Sequence, residues 1–315
     1  VPVVKEAFDG ANAGVTMDGK VYGIPFTQEG YGFIYNAAIL NKAGINPDEI
    51  TSYAKLEEAV KKLDAKKAEL GLEAVFAVAG KETWVTGLHF TNAALSPEFE
   101  NVFNAFNAKK IDFKYSEGMK KLFDLQINYA KKPVNSVDYS TQVEKLFSLG
   151  KVAFMQQGNW TLGAIKGIDE ELAANIGFLP MPIVGAKEDS IPVGIPMYWT
   201  VNSTKDEKTQ AAAKAFLNWM YTSEKGKDAI INKFGFIPPF KGFDSPDLQP
   251  KDALAKDIMK YASAGKTIQW VFMGYPSGWG MEKIGVDLQK YVDGKLTWDQ
   301  LIENGKKSWE EARKQ

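Results

Sequence analysis

Aromatic side chains set beside glycines, amides and carboxylates are the residues of this chain best suited to bind a ligand. Five tryptophans fall in loops or at element ends: Trp84, Trp160, Trp199, Trp270 and Trp279. Three more lie in helical patterns and are predicted to pack: Trp219, Trp298 and Trp309. A sugar needs rings that stack on its C–H faces and polar groups that hydrogen-bond its hydroxyl rim. The pattern therefore favours a carbohydrate site.

Polar groups accompany these rings at predicted strand ends. In residues 18–36 (DGKVYGIPFTQEGYGFIYN), Glu29 and Tyr31 stand among glycines after a short β-type run. QQGNWTLG carries Trp160 beyond the strand of residues 152–155, and GKETW carries Glu82 and Trp84 beyond a second strand. Ligands of open α/β sheets bind at the carboxyl ends of strands. We therefore expect Trp84 and Trp160 near a binding surface.

The composition of the chain argues against several classes of function. The chain has 38 basic and 39 acidic residues, so it lacks the positive excess that nucleic-acid binding needs. Its only arginine is Arg313, which makes an anionic ligand less expected. Cysteine is absent and His89 is the only histidine, which excludes thiol nucleophiles and Cys/His zinc sites. We interpret His89 as a packed or surface residue, and we expect no cofactor.

Strand and helix patterns alternate, which favours an α/β architecture. Leu56, Val60 and Leu63 recur at helical spacing after Thr51 or Ser52. Ser96-Pro97 is predicted to open a new helix. Residues 297–300 form a capping-box pattern before the last helix. The length of 315 residues indicates two domains.

The sequence contains none of the common enzyme motifs considered next. Neither GxGxxG nor GxxxxGK[ST] occurs, and the serine of GYPSG is one place away from the nucleophile-elbow position. Glu29 and Glu82 could form the carboxylate pair of a glycoside hydrolase, although the sequence does not fix their separation. That enzyme stays an alternative to a binding protein.

Several motifs recur in the order found in one family. They are YGIPF, EGYGFIYN, the run of residues 145–160 (KLFSLGKVAFMQQGNW), VGIP, GFIPPF and the tail of residues 293–314. Together the chain resembles the bacterial extracellular solute-binding proteins, in particular their maltose-binding-protein-like, sugar-binding members. The resemblance implies an α/β, two-lobe periplasmic-binding-protein-like fold with a hinge. It also implies that the chain binds a sugar, by expectation an oligosaccharide, in an interlobe cleft and delivers it to ABC permease subunits outside the cytoplasm.

The resemblance also implies domain bounds and site residues. Residues 1–26 and 200–250 would form the first lobe, and residues 27–199 and 251–315 the second. Glu29 and Tyr31 would lie in the crevice, and Trp84 and Trp160 would match sugar-contacting rings. Trp279 lies one residue from another stacking position, and Tyr198 and Trp199 lie on a crossing strand. The expected ligand-binding set is Glu29, Tyr31, Trp84, Trp160, Tyr198, Trp199 and Trp279.

One departure concerns the first lobe. The family begins with a βαβαβ run ahead of the segment equivalent to Val1, so the resemblance implies an incomplete first lobe. A missing N-terminal segment or a second chain would then complete it, as in an engineered or split sugar-binding module. In its full-length form we expect an extracellular or periplasmic protein anchored as a lipoprotein.

Overall fold

The computed structural model describes residues 1–8 and 10–314. The strands are β1 (Thr16–Met17), β2 (Lys20–Val21), β3 (Ile24–Pro25), β4 (Glu29–Asn36), β5 (Phe76–Ala77), β6 (Phe154–Gly158), β7 (Ile176–Leu179), β8 (Ile191–Gly194), β9 (Tyr198–Trp199) and β10 (Thr267–Ile268). The helices are α1 (Ala37–Ala43), α2 (Tyr53–Ala65), α3 (Thr91–Phe99), α4 (Val102–Asn107), α5 (Ser116–Asn128), α6 (Leu162–Ile168), α7 (Glu170–Ala174), α8 (Glu207–Thr222), α9 (Glu224–Asp228), α10 (Ala253–Ser263), α11 (Gly285–Val292) and α12 (Trp298–Ala312). Four segments are π-helical: Val85–Phe90, Thr141–Phe147, Ala229–Lys233 and Trp279–Ile284.

The chain folds into two compact units. The first contains Val1–Glu29 and Val193–Lys256, and the second contains Gly30–Pro192 and Asp257–Gln315. The chain thus passes from one unit to the other after Glu29, after Pro192 and after Lys256. The sequence placed these passages after residues 26, 199 and 250. An α/β fold in two parts is what the sequence predicted.

A mixed sheet forms the centre of the second unit. Its strand order is β10-β8-β4-β6-β5, and β7 also pairs with β4. Strands β6 and β7 both pair with β4 and run antiparallel to it. Tyr31 of β4 lies opposite Gly158 of β6, and Phe33 of β4 lies opposite Leu179 of β7. Gly32 is required at this junction, because a methyl group there would lie 2.4 Å from the Leu179 carbonyl oxygen.

Helices cover this sheet with buried apolar side chains. In α2, Leu56, Val60 and Leu63 are buried as their spacing predicts, and Ser52 caps the helix by accepting from the Lys55 N–H. The predicted helix start at Ser96-Pro97 is wrong. Helix α3 has already begun at Thr91 and runs through Pro97 to Phe99, so Pro97 falls in its last turn, and the next cap is Asn101. The Asn101 side chain accepts from the Asn104 N–H at 2.9 Å.

The last helix closes the core of the second unit. Thr297 and Gln300 form the predicted capping box, each side chain accepting from the other residue's backbone N–H. Trp298 and Trp309 are buried, as predicted, and the indole N–H of Trp309 donates to the Ala108 carbonyl at 2.9 Å. The helix therefore joins the core through its ring-bearing face.

The first unit has two small antiparallel ribbons, β1 with β2 and β3 with β9. Its core contains Ile24, Leu217, Tyr221 and Phe240. The GFIPPF segment is tied to the chain before Glu29, because the Thr27 hydroxyl bonds both the N–H and the carbonyl of Ile237 at 3.1 Å. The prediction that Trp219 packs is wrong. Its side chain is 45% exposed and stacks on Phe216, which is also exposed.

Within residues 1–8 and 10–314, no helix combines the length and the apolar character that crossing a membrane requires.

Candidate functional site

Five aromatic rings of the second unit surround the imidazole of His89, and we call these six residues the aromatic cluster. Its members are Tyr31, Trp84, His89, Trp160, Trp270 and Phe272. The His89 ring centroid lies 4.3 Å from Tyr31, 5.3 Å from both Trp84 and Trp160, 6.0 Å from Trp270 and 5.2 Å from Phe272. Trp84, Trp160 and Phe272 are partly exposed, whereas the other three are buried. The cluster thus offers three ring surfaces on a buried aromatic base.

The end of β6 positions Trp160. The chain turns after Gly158 into a short 3₁₀ helix, Asn159–Thr161, which swings the indole back over the strand end. Only glycine fits below the ring, because a methyl group on Gly158 would lie 2.1 Å from Trp160 Cζ3. The indole N–H donates to the Gln157 side-chain oxygen at 3.0 Å. Asn159 meanwhile accepts from the Gly30 N–H at 3.1 Å and ties the loop to the start of β4.

Glu82 positions Trp84. One carboxylate oxygen accepts from the Trp84 indole N–H at 3.1 Å, and the other accepts from the Tyr139 N–H at 3.2 Å. Tyr139 also lies beside the Trp84 ring, with centroids 6.2 Å apart. The N–H groups of both partly exposed indoles, Trp84 and Trp160, therefore donate to side chains of the protein. Their ring faces are left to contact a ligand.

Tyr31 and His89 form the base of the cluster. Tyr31 is fully buried, and its hydroxyl donates to the His89 carbonyl at 3.2 Å. His89 is 8% exposed, and burial lowers its pKa from 6.5 to about 3, so the imidazole is neutral near neutral pH. The interpretation of His89 as a packed residue is correct. Tyr31, predicted to contact ligand, lies behind the exposed rings.

Trp270 and Phe272 were not in the predicted set. The buried Asn92 side chain holds their segment by donating to the Gln269 carbonyl at 3.1 Å and accepting from the Phe272 N–H at 3.2 Å. Among the described residues, the buried Trp270 indole N–H has no hydrogen-bond partner. Trp270 carried a sequence signal as a loop tryptophan, but nothing local marked Phe272, because Phe272 and His89 are 183 positions apart in the chain.

Glu29 stands where β4 begins, one residue before the second unit. Its side chain is partly buried, and this burial raises its pKa from 4.5 to about 7. A carboxyl with a pKa near 7 exchanges between acceptor-only and donor forms around neutral pH.

Tyr198 and Trp199 belong to the first unit, on β9. The Trp199 N–H donates to the Tyr221 hydroxyl at 2.9 Å, which in turn donates to the Phe26 carbonyl at 2.7 Å. The Phe26 ring packs edge-on against Trp199 at 5.1 Å. Trp199 is thus fixed within its unit with part of its ring exposed.

Trp279 lies in the core of the second unit and outside the aromatic cluster. It is 1% exposed, and its indole N–H donates to the Gly305 carbonyl and to the Ser308 hydroxyl, both at 3.0 Å. Its ring packs against Tyr275 and Trp309. This placement corrects the expectation that Trp279 presents a stacking surface, since the ring is buried among core residues that include Tyr275 and Trp309.

Across residues 1–8 and 10–314, no group of three or more His, Cys, Asp or Glu side chains is arranged to hold a metal ion.

The sequence of residues 3–260 matches the family model described as bacterial extracellular solute-binding protein. The chain belongs to this family. The sequence resemblance is thereby confirmed, and the two-unit α/β fold agrees with it.

A curated relative of this solute-binding protein is named for the sugars that it binds. The melibiose/raffinose/stachyose-binding protein MelE of Bacillus subtilis (strain 168) is 28% identical over 218 residues, which is 64% of this chain and 47% of MelE. The chain therefore matches just under half of the length of that curated relative.

Solved structures share the fold of this solute-binding protein. A chitin oligosaccharide binding protein superposes with a TM-score of 0.79 at 21% identity, over 99% of this chain and 76% of its own. The ligand-free RafE of Streptococcus pneumoniae superposes with a TM-score of 0.76 at 18% identity, over 99% of this chain and 77% of its own. At such identities the likeness establishes the fold.

Proposed function

We propose that this chain binds an oligosaccharide on the aromatic cluster and delivers it to the permease of an ABC importer. One observation carries the proposal. Trp84 and Trp160 are partly exposed neighbours, with ring centroids 6.4 Å apart, and each indole N–H is bonded within the protein. Rings held in this way meet a ligand with their faces, and C–H faces of pyranose rings are the natural partners.

Two partly exposed indoles favour a ligand larger than one sugar ring. The two rings are tilted by 56° to one another, so one flat ligand cannot lie on both faces. A flexible chain of two or more sugar rings can turn between them. Melibiose, raffinose and stachyose, the sugars in the name of MelE, have this character.

Glu29 would serve as an acceptor for ligand hydroxyls. A charged acceptor makes hydrogen bonds roughly twice as strong as a neutral one. Tyr198 and Trp199 stay candidates for ligand contact.

A binding role suits the carboxylates better than glycoside hydrolysis does. Both oxygens of Glu82 accept hydrogen bonds that hold Trp84 and the Tyr139 backbone. A general acid must offer a proton to the leaving oxygen, and a nucleophile needs a free oxygen. Glu82 therefore acts as a scaffold for Trp84, which leaves Glu29 without the partner that a hydrolase requires.

Membership of an extracellular solute-binding family supports the transport role. Such a protein would be anchored to the membrane as a lipoprotein, capture sugar outside the cytoplasm and present it to permease subunits. Neither a cofactor nor nucleic acid has a part in this function.

A thermal-shift screen tests the proposal, because a ligand that binds only the native state raises its stability. Raffinose, stachyose, chitotriose, melibiose and glucose would each be added to the intact chain. We expect an oligosaccharide to raise the melting temperature by several degrees and glucose to raise it less. No shift with any sugar, or new reducing ends that vanish in Glu29→Gln, would contradict the proposal.

A further inference from the structure

We infer that two buried glutamines, Gln142 and Gln157, are positioning residues that set the orientation of the Trp160 ring. Neither was a candidate in the sequence. The orientation itself is a property of the ligand-free chain. Its effect on sugar affinity rests on the proposed function, so the two effects are tested separately.

A line of hydrogen bonds runs from the sheet to the indole. Gln142 Nε2 donates to the Ala77 carbonyl at 2.8 Å, at the end of β5. Gln157 Nε2 donates to Gln142 Oε1 at 2.8 Å. Trp160 Nε1 donates to Gln157 Oε1 at 3.0 Å. We call this line the amide relay, and it fixes a partly exposed ring to the backbone of β5, the last strand in the sheet order.

Burial fixes which way the amide group of each glutamine in the relay points. Gln142 is 0% exposed and Gln157 is 1% exposed, so water cannot replace a lost partner. A buried amide group left without its hydrogen bond costs free energy, which favours the single arrangement that satisfies both. In that arrangement Gln142 donates to the Ala77 carbonyl and, at 3.4 Å, to the Gln156 backbone carbonyl, Gln157 donates to Gln142, and each amide oxygen accepts from the side of Trp160. The Gln157 oxygen is therefore held toward the indole N–H.

A separate amide holds the neighbouring segment. Gln156 Nε2 donates to the Val85 carbonyl at 3.0 Å and joins β6 to the π-helical segment that carries His89. Gln156 does not bond to Trp160. Gln156 supplies a matched control for Gln157. Both are buried glutamines of β6, but only Gln157 accepts a hydrogen bond from the Trp160 indole.

Steric contact alone does not fix the ring. The six-membered ring of Trp160 lies against Gly158, where an added methyl group would be 2.1 Å from Cζ3, but glycine has no side-chain acceptor that could select one of the two orientations of the indole about its Cβ–Cγ bond. The Gln157 acceptor distinguishes these orientations because only one brings Nε1 to it. The relay thus decides which edge of Trp160 is inward and which face is presented.

The first test uses the ligand-free intact chain and the indole N–H resonances in ¹H–¹⁵N NMR spectra. Trp160→Phe identifies the Trp160 resonance by its loss. We expect Gln157→Met to shift that resonance and to speed its hydrogen exchange by about tenfold or more, the factor expected when one hydrogen bond is lost. Gln142→Met, which does not touch Trp160, should shift the same resonance through Gln157.

Controls separate positioning from general loosening. Gln156→Met should leave the Trp160 exchange rate within about twofold of the native rate, although it lowers the melting temperature as the other variants do. The hydrogen-exchange rate of the Trp84 indole N–H, whose partner is Glu82, should stay within about twofold of the native rate in all three variants. An unchanged Trp160 resonance in Gln142→Met, or equal changes in Gln156→Met, would overturn the inference.

The second test measures affinity with raffinose as probe. We expect Gln157→Met to weaken binding by roughly three- to tenfold, the effect of one hydrogen bond. In a Trp160→Phe background, which has no indole N–H, the same substitution should change affinity by less than about twofold. Equal losses in both backgrounds would overturn the positioning role. A native chain that binds no raffinose would count against the proposed ligand alone, since the NMR test decides the relay.

Discussion

The rings of Tyr31 and His89 are stacked, with centroids 4.3 Å apart and planes inclined by 15°. The Tyr31 hydroxyl also donates a hydrogen bond to the His89 backbone carbonyl. The two residues therefore interact through their stacked rings and through this hydrogen bond. Both are buried beneath the exposed faces of Trp84 and Trp160. The only histidine of the chain therefore acts as the aromatic base on which the candidate ligand surface is built.

His89 should make the chain less stable in mild acid. Its pKa is about 3 in the folded chain and 6.5 when exposed, so between these values the unfolded chain binds the proton more tightly. The free energy of unfolding therefore falls as pH drops below 6.5, by about 1.4 kcal/mol per pH unit at most. His89→Phe keeps a ring but does not titrate. Urea unfolding at pH 7 and pH 5 should show the variant gaining about 2 kcal/mol relative to the native chain at the lower pH. Equal differences at both pH values would contradict this prediction.

Glu29 should make sugar affinity depend on pH. Burial raises its pKa to about 7, and the ionised form is the stronger acceptor for hydroxyls. Affinity should therefore increase as pH rises from 6 to 8, by up to about tenfold if only the ionised form binds. Calorimetric titration at both pH values checks this, with Glu29→Gln as the control that should show a flat profile. Affinity that falls with rising pH would mean that the protonated acid is the binding form.

Trp160→Ala and Trp279→Ala should separate ligand contact from core packing. We expect Trp160→Ala to weaken sugar binding by about 1–3 kcal/mol, the value of a large apolar contact, with a small change in melting temperature. Trp279→Ala removes a fully buried ring and should cost about 3–5 kcal/mol of stability. The opposite assignment, with stability lost at Trp160 and affinity lost at a stable Trp279 variant, would refute the placement of both rings.

Gly158→Ala should damage the site without damaging the sheet. Its new methyl group would overlap the Trp160 ring, so the indole must leave its position. We expect sugar affinity to fall at least as far as in Trp160→Ala, and the tryptophan emission to shift to the red as the ring enters water. Gly163→Ala is the matched control, because nothing lies within 4 Å of the added methyl group and alanine favours helix α6. Native emission and affinity in Gly158→Ala would show that the ring is not held as described.

The sequence predicted those parts of the fold that local patterns encode. Helix α2, the Thr297 capping box and the buried Trp298 and Trp309 follow from spacing and capping residues. Ser96-Pro97 misled because a Ser-Pro pair is typical of a helix start, whereas α3 has already begun at Thr91 and Pro97 falls in its last turn. Trp219 was assigned to packing by its helical position, which does not reveal which face of α8 is covered.

The site was only partly predictable for a related reason. Trp84 and Trp160 each follow a strand end beside polar residues, and this local signal located them. The sequence did not show that Tyr31 would be covered, that Trp279 would be buried among core residues, or that Gln142 would reach Gln157. Each of these outcomes depends on contacts between segments distant in the chain, which local spacing does not encode.

Calorimetric titration of the intact chain with raffinose and stachyose tests the central claim most directly, with the Trp84→Ala/Trp160→Ala double variant as its control. We expect saturable binding of at least one of the two sugars to the native chain. The double variant should lose at least about a hundredfold in affinity while it stays folded, since each ring contributes on the order of 1–3 kcal/mol. Equal affinity in the native chain and the folded double variant would contradict the account, because the aromatic cluster would then have no part in binding.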